Sequence, residues 1–216
     1  MKKYLSFIIA IIMIFSLTAC TTNDDIRGEY EDEVSSSTQS FDTGKVNANK
    51  YINKFAGISC KLDSEWTYKT DEEIRKNNET AMGLIDEEYS EAIKNASTFT
   101  DMMATHSNQM DTITVGFEKL TGTNKLMTEA SYLEATKDLT KGALESMGMT
   151  NVTITIGEAP FAGKNHSYAA ISAQFNGIDV FERLVTLKCS DYMVIITVCT
   201  WQNDTCLEIL NNFKAA

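Results

Sequence analysis

The sequence predicts an α+β fold, a twisted antiparallel sheet flanked by helices in α/β/α layers, and three observations carry that prediction. Residues 152–156, 166–175, 178–189 and 192–201 alternate apolar and polar side chains or run apolar, as strands do. Asn176-Gly177 links the second of these to the third, and both residues tolerate the positive φ of a two-residue hairpin turn. Apolar residues at helical spacing interrupt the strands between residues 70 and 95 and again between 131 and 147. Strands joined by hairpins, with helices between strand groups, specify an antiparallel sheet carrying helices.

At the N-terminus, Met1-Lys2-Lys3 precedes a 14-residue apolar run over 4–17. A membrane-spanning helix needs about 20 such residues, so this run reads as an export signal whose two lysines stay on the cytoplasmic side. Leu17-Thr18-Ala19-Cys20 closely resembles the bacterial lipobox, where lipoprotein precursors are cleaved once the cysteine thiol has received a diacylglyceryl group. That resemblance implies a signal peptide over 1–19 and a mature chain that starts at lipidated Cys20. The protein is then held on the extracytoplasmic face of the cell membrane by fatty-acyl chains of the palmitate type, each buried methylene adding about 0.8 kcal/mol.

Residues 20–45 read as the lipidated cysteine and an acidic tether. Between Thr21 and Lys45 lie seven acids against Arg27 and Lys45, with few large apolar groups, too little buried surface to offset the entropy of ordering. Residues 46–216 then form a single globular domain. It opens on an aromatic-flanked turn over 51–57, followed by a half-buried strand over 58–62 and a second extended piece over 63–68. Thr70-Asp71-Glu72-Glu73 is a capping-box pattern that starts a helix, and Ile74, Met82, Ile85, Tyr89 and Ile93 recur at helical spacing, with Gly83 the weak point between two shorter helices. Strands follow over 98–105 and 112–120. Ser131 and Glu134 form a second capping-box pattern, ahead of a stripe of Tyr132, Leu139, Ala143 and Met147 that Gly148 closes. After the four C-terminal strands, the last two joined across Ser190-Asp191, Asn203 caps a final helix with Cys206, Leu210 and Phe213 on one face.

The opening Tyr51-x-Asn53-x-Phe55-x-Gly57-Ile58, the Leu62-Asp63-Ser64-Glu65-Trp66 that follows, and the element order together resemble the PsbP/Mog1-like domain over residues 50–213. Lipoproteins of Gram-positive bacteria look alike in this region. Members commonly carry Pro where this chain has Asp63, and the 70–95 segment is long for the family. The resemblance implies a non-enzymatic scaffold, since relatives act as accessory or assembly factors, as small-GTPase binders, or in the envelope. No binding residue transfers, because those roles share no motif that this chain matches. Trp66 reads as core or hairpin cover.

The formal charge of −11 becomes −13 once Lys2 and Lys3 leave with the signal, which argues against nucleic acid or anionic headgroups as partners. The expected partners are the membrane, through Cys20, and an envelope protein. Without Cys20 the cysteines number four, Cys60, Cys189, Cys199 and Cys206, in apolar surroundings that suit buried thiols, although export permits disulfides and four cysteines allow three pairings. The single proline, Pro160, rules out a proline-rich stalk.

No hydrolase elbow, zinc motif, phosphate loop or dinucleotide fingerprint occurs, and no metal or cofactor is expected. His106 and His166, the only histidines, read as a loop residue and a residue near a turn, and Cys60 as a strand thiol rather than a nucleophile. Asp86, Glu87 and Glu88 spread around a helix instead of converging on a ligand. Met102, Met103, Met147 and Met149 read as core. Matches to the glycosylation pattern at Asn78, Asn95, Asn151, Asn165 and Asn203 carry no meaning beside a bacterial lipobox. The functional expectation is a non-catalytic binding or accessory module. Its alternatives are a small-ligand receptor with a pocket between sheet and helices, under the Met-rich segment, and a hydrolase using Cys60 or a histidine.

Overall fold

The computed structural model describes residues 41–82 and 98–216, and over them the chain adopts an antiparallel α+β fold. In chain order the elements are β1 (Lys45–Asn47), β2 (Lys50–Asn53), β3 (Ile58–Lys61), β4 (Trp66–Tyr68), α1 (Asp71–Met82), β5 (Thr98–His106) and β6 (Thr112–Lys119). A 3-10 turn (Gly122–Leu126) leads to α2 (Glu129–Ser146). Then come β7 (Thr150–Phe161), β8 (Lys164–Phe175), β9 (Ile178–Cys189), β10 (Tyr192–Trp201), α3 (Cys206–Leu210) and β11 (Phe213–Ala215). The larger sheet has the order β4-β5-β6-β10-β9-β8-β7 and the smaller one β1-β2-β3-β11. Lipidation of Cys20, the signal segment, and the apolar and acidic residues named between 83 and 97 lie outside the described residues.

Local chemistry explains the turns. Asn176 and Gly177 take φ of 51° and 78° between Phe175 and Ile178, the left-handed pair that a two-residue hairpin requires. Ala162 and Gly163 do the same at 47° and 89° between Phe161 and Lys164, and so extend β7 well past the 152–156 segment. Pro160 is tolerated there because β7 is an edge strand.

Thr70 caps α1 as expected: its amide donates to Glu73 Oε2 at 2.8 Å and its hydroxyl oxygen accepts from the Glu73 amide at 3.3 Å. Three other expectations are corrected. The box at α2 is built by Thr128 and Ser131, one turn earlier than Ser131 and Glu134, with Thr128 Oγ1 accepting from the Ser131 amide at 3.2 Å. The final helix is too short to carry Phe213, which instead pairs with Cys60 on the smaller sheet, and its N-cap is Thr205 rather than Asn203. His106 ends a strand instead of occupying a loop.

The larger sheet is buried on both faces. Tyr132, Leu133, Ala143 and Leu144 of α2 cover one face, packing on Ile171, Leu184, Met193 and Ile195. The other face, including Ile113, Val115, Val194 and Ile196, is covered by Tyr51, Ile58 and Leu62 around the smaller sheet and by Cys206 and Leu210 of α3. The second cover is thus largely a small sheet, where helices were expected. Packing reaches back to Phe41, whose ring stacks on Tyr192 at 4.6 Å and meets Phe55, Phe99 and Phe117 edge-on at 5.2–5.6 Å. The Gly44 amide donates to both oxygens of Asp101, at 3.0 and 2.9 Å, and Tyr51 and Asn53 donate to the same carboxylate at 2.5 and 2.9 Å. Asp101 therefore pins the smaller sheet to β5.

Met102, Met103, Met147 and Met149 are buried core side chains. All four cysteines beyond Cys20 are free thiols, three of them buried and Cys189 half-buried. Burial pushes Cys60 and Cys206 up to about 12 and Cys189 up to about 11. One face of β9 and β10, under α2, is polar as well as apolar. Glu182 is 1 % exposed, both of its oxygens and the buried Thr197 Oγ1 and Trp201 Nε1 lack an ordinary hydrogen-bond partner, and Cys199 stands opposite Glu182. Burial pushes the Glu182 carboxyl up to about 8.

Candidate functional site

A half-open cleft of about 690 Å³ falls within the few-hundred to one-thousand Å³ range of ligand sites. Three parts of the fold build it. The β7–β8 hairpin supplies Phe161, His166 and Tyr168, β9 supplies Arg183 and Val185, and the C-terminal α3 and β11 supply Leu207, Leu210, Phe213 and Lys214. The geometry follows from the turn chemistry. The tight Ala162-Gly163 turn ends the hairpin beside the C-terminal segment, and alternation along β8 puts His166 and Tyr168 on one face. β11 reaches the cleft because its pairing with β3 leaves its other side at the sheet edge.

Two basic side chains in the cleft are held by neighbours. Glu129, the first residue of α2, accepts from His166 Nδ1 at 2.9 Å and from the backbone amides of Ser167 at 3.1 Å and Lys188 at 3.0 Å. Burial pushes this carboxyl up, but the hydrogen bonds from His166 and the two amides outweigh that effect and leave it below the ordinary glutamate value. An ionised carboxylate only accepts, so Nδ1 carries a proton and Nε2 remains as the ring's second polar atom. Arg183 donates from one terminal nitrogen to the Glu182 carbonyl at 2.9 Å and from the other to Asp204, which leaves three of its five N–H donors unused by these bonds. Its side chain is 13 % exposed, so the guanidinium is positioned more firmly than a surface arginine.

No protein-family model and no curated protein matches the chain. Among solved structures, it is similar to the solution structure of cyanobacterial PsbP (CyanoP) from Synechocystis sp. PCC 6803, with 8 % identity, a TM-score of 0.43, and coverage of 84 % of this chain and 98 % of that one. It is also similar to LpqN of Mycobacterium tuberculosis, described as involved in cell envelope biogenesis, with 12 % identity, a TM-score of 0.40, and coverage of 73 % and 82 %.

The cleft does not lie under the methionines, as a receptor pocket was expected to; those side chains fill the core, and the site sits at the opposite end of β7 from Met147 and Met149. His166 lines it. His106 does not: it packs its ring on Trp66 at 5.1 Å and faces Glu65 at 3.4 Å, at the far edge of the larger sheet. Trp66 is half-buried there, as hairpin cover. Cys60 is fully buried on β3, and burial holds its thiol protonated, the reverse of what a nucleophilic cysteine needs. Glu129, Arg183, Tyr168 and Lys214 carry no sequence signal of their own. The only hint of the first was its place one turn ahead of a predicted helix, where an acid is ordinary.

Proposed function

We propose that the protein is a lipid-anchored, extracytoplasmic, non-catalytic binding module, attached through Cys20, whose cleft at the β7–β8 hairpin takes a small ligand. The observation that carries the ligand-binding half of this reading is the cleft itself, apolar-walled and provided with His166 and Arg183 in positions fixed by Glu129 and Asp204. The large exposed apolar side chains among the described residues, Phe41, Val46, Leu126 and Leu207, sit on four separate segments, so only Leu207 adds to a concave apolar surface. The anchoring half rests on the lipobox-like Leu17-Thr18-Ala19-Cys20. No helix of the described residues is long and apolar enough to cross a membrane.

A photoreactive amino acid in place of Leu207, in the full chain in its own membrane, tests the reading. The expected result is a cross-linked adduct of small-molecule mass. A protein adduct would instead support an accessory role with an envelope partner at the same surface, and no adduct at this position would overturn the cleft as the binding site.

A further inference from the structure

We infer that the cleft selects an amphipathic carboxylate, a small molecule with one anionic head on an apolar body. The inference rests on the binding reading above and adds the chemical class of the ligand. Its first support is charge. The whole chain carries 30 acids against 19 lysines and arginines, yet the cleft lining contains Arg183, Lys214 and His166 and not one Asp or Glu. Asp204 and Glu129 are not part of that lining, and their bonds to Arg183 and His166 fix these basic groups in place.

The second support is the donor inventory. Arg183 keeps three N–H donors beyond its two bonds, and a guanidinium N–H makes a charge-assisted hydrogen bond to a carboxylate. Lys214 is exposed on β11 and adds a mobile positive charge at the same cleft. The third support is the wall. Phe161, Leu210 and Phe213 are buried around the cleft, while Leu207 leaves 58 % of its surface in water. Covering Leu207 with an apolar body recovers roughly 25 cal/mol per Å² of surface removed from water. A neutral apolar ligand would gain from the wall alone, and a cationic one would meet three basic side chains. An anionic amphiphile satisfies both halves.

Competition for photolabelling tests this on the full lipid-anchored chain in zwitterionic nanodiscs. The probe is a diazirine analogue of laurate, competed by laurate, lauryl alcohol and laurylamine. Labels are expected on peptides carrying Phe161, Leu207 or Phe213, with laurate competing at least tenfold better than the alcohol or the amine. Lys214→Glu should lower cleft labelling about fivefold, as expected when a partly exposed pair becomes repulsive, and Lys214→Arg should keep it. Partition of the probe into the bilayer is common to all three proteins and cancels. Equal competition by lauryl alcohol, with labels still in the cleft, overturns the anion assignment and leaves the binding reading standing. Labels found only outside the cleft overturn both.

Discussion

Glu182 carries a side chain that the fold buries without an ordinary partner, and this sets a pH dependence of stability. Its carboxyl has an ordinary value of 4.5 and is pushed by burial up to about 8 in the folded chain. Below about pH 4.5 both folded and unfolded chains hold the proton, and no penalty arises. Between about pH 4.5 and 8 the folded chain still holds a proton that the unfolded chain has released, so stability falls as pH rises through this window. At about 1.4 kcal/mol per unit the total is on the order of a few kcal/mol. Glu118 acts in the same direction, because burial pushes it up to about 7 even though it accepts from the Tyr132 hydroxyl at 2.5 Å. Denaturant titrations across this range should therefore show wild type losing stability toward alkaline pH and Glu182→Gln losing much less; parallel curves would refute the assignment. Gly44 makes a second residue-scale prediction. A Cβ there would lie 2.2 Å from the Tyr51 ring and 2.7 Å from Asp101 Oδ2, so Gly44→Ala must displace the carboxylate that joins β2 to β5. A loss of roughly 1–3 kcal/mol is expected, read as a lowered denaturation midpoint. A neutral result would place residue 44 outside the packed body, where the acidic composition of 20–45 puts it.

At the scale of elements, most of what the sequence predicts is there, and the misses share a cause. β9 and β10 have the predicted bounds because their buried faces make apolar runs and an Asn-Gly turn fixes one end. β7 is read short because Gly157, Ala159 and Pro160 break the alternation, while an edge strand tolerates all three. The Ala162-Gly163 turn is missed because alanine rarely takes a positive φ, and with it goes the hairpin that shapes the cleft. The capping box at α2 shows the competition between patterns. Ser131 and Glu134 fit the preferred box chemistry better than Thr128 and Ser131, yet the chain caps one turn earlier, where Glu129 can reach His166 and the Ser167 and Lys188 amides. A tertiary contact decides the register of a local motif. Thr128→Ala is therefore expected to cost about 1 kcal/mol, the usual value of an N-cap, whereas Glu134→Gln should be near neutral by the same unfolding measurement. The reverse order would restore the Ser131 cap. Of the cleft's basic residues the sequence singles out His166 alone; Arg183 and Lys214 are not legible in advance, because they become neighbours only when β11 closes the smaller sheet beside β9.

For the whole molecule, the proposed anchor and the proposed cleft make one physical system. A ligand with an apolar body partitions into a bilayer, so a receptor for it gains most from being held at that surface, where the effective concentration of both is high. The anchor must then be stable while the domain stays in water. A single acyl chain gives only marginal, reversible attachment and more than one gives a lasting one, which diacylglyceryl modification of Cys20 would supply. The acidic stretch between Cys20 and the packed body, which begins by Phe41, repels an anionic surface within a Debye length of about 8–10 Å and so favours a domain held clear of it. This arrangement predicts that metabolic labelling with palmitate marks the wild-type chain and that the mature N-terminal peptide starts at an acylated Cys20. Cys20→Ala should lose the label and keep the first 19 residues, because the thiol that must be modified before cleavage is gone. Label persisting in Cys20→Ala would place the acyl group on another residue, and processing at another bond would show an ordinary secretory signal; either result removes the anchor from Cys20. The cleft would keep its chemistry in that case, but the ligand would have to reach it through water, and the preference for an apolar body would then be measurable as the same affinity with and without a membrane present.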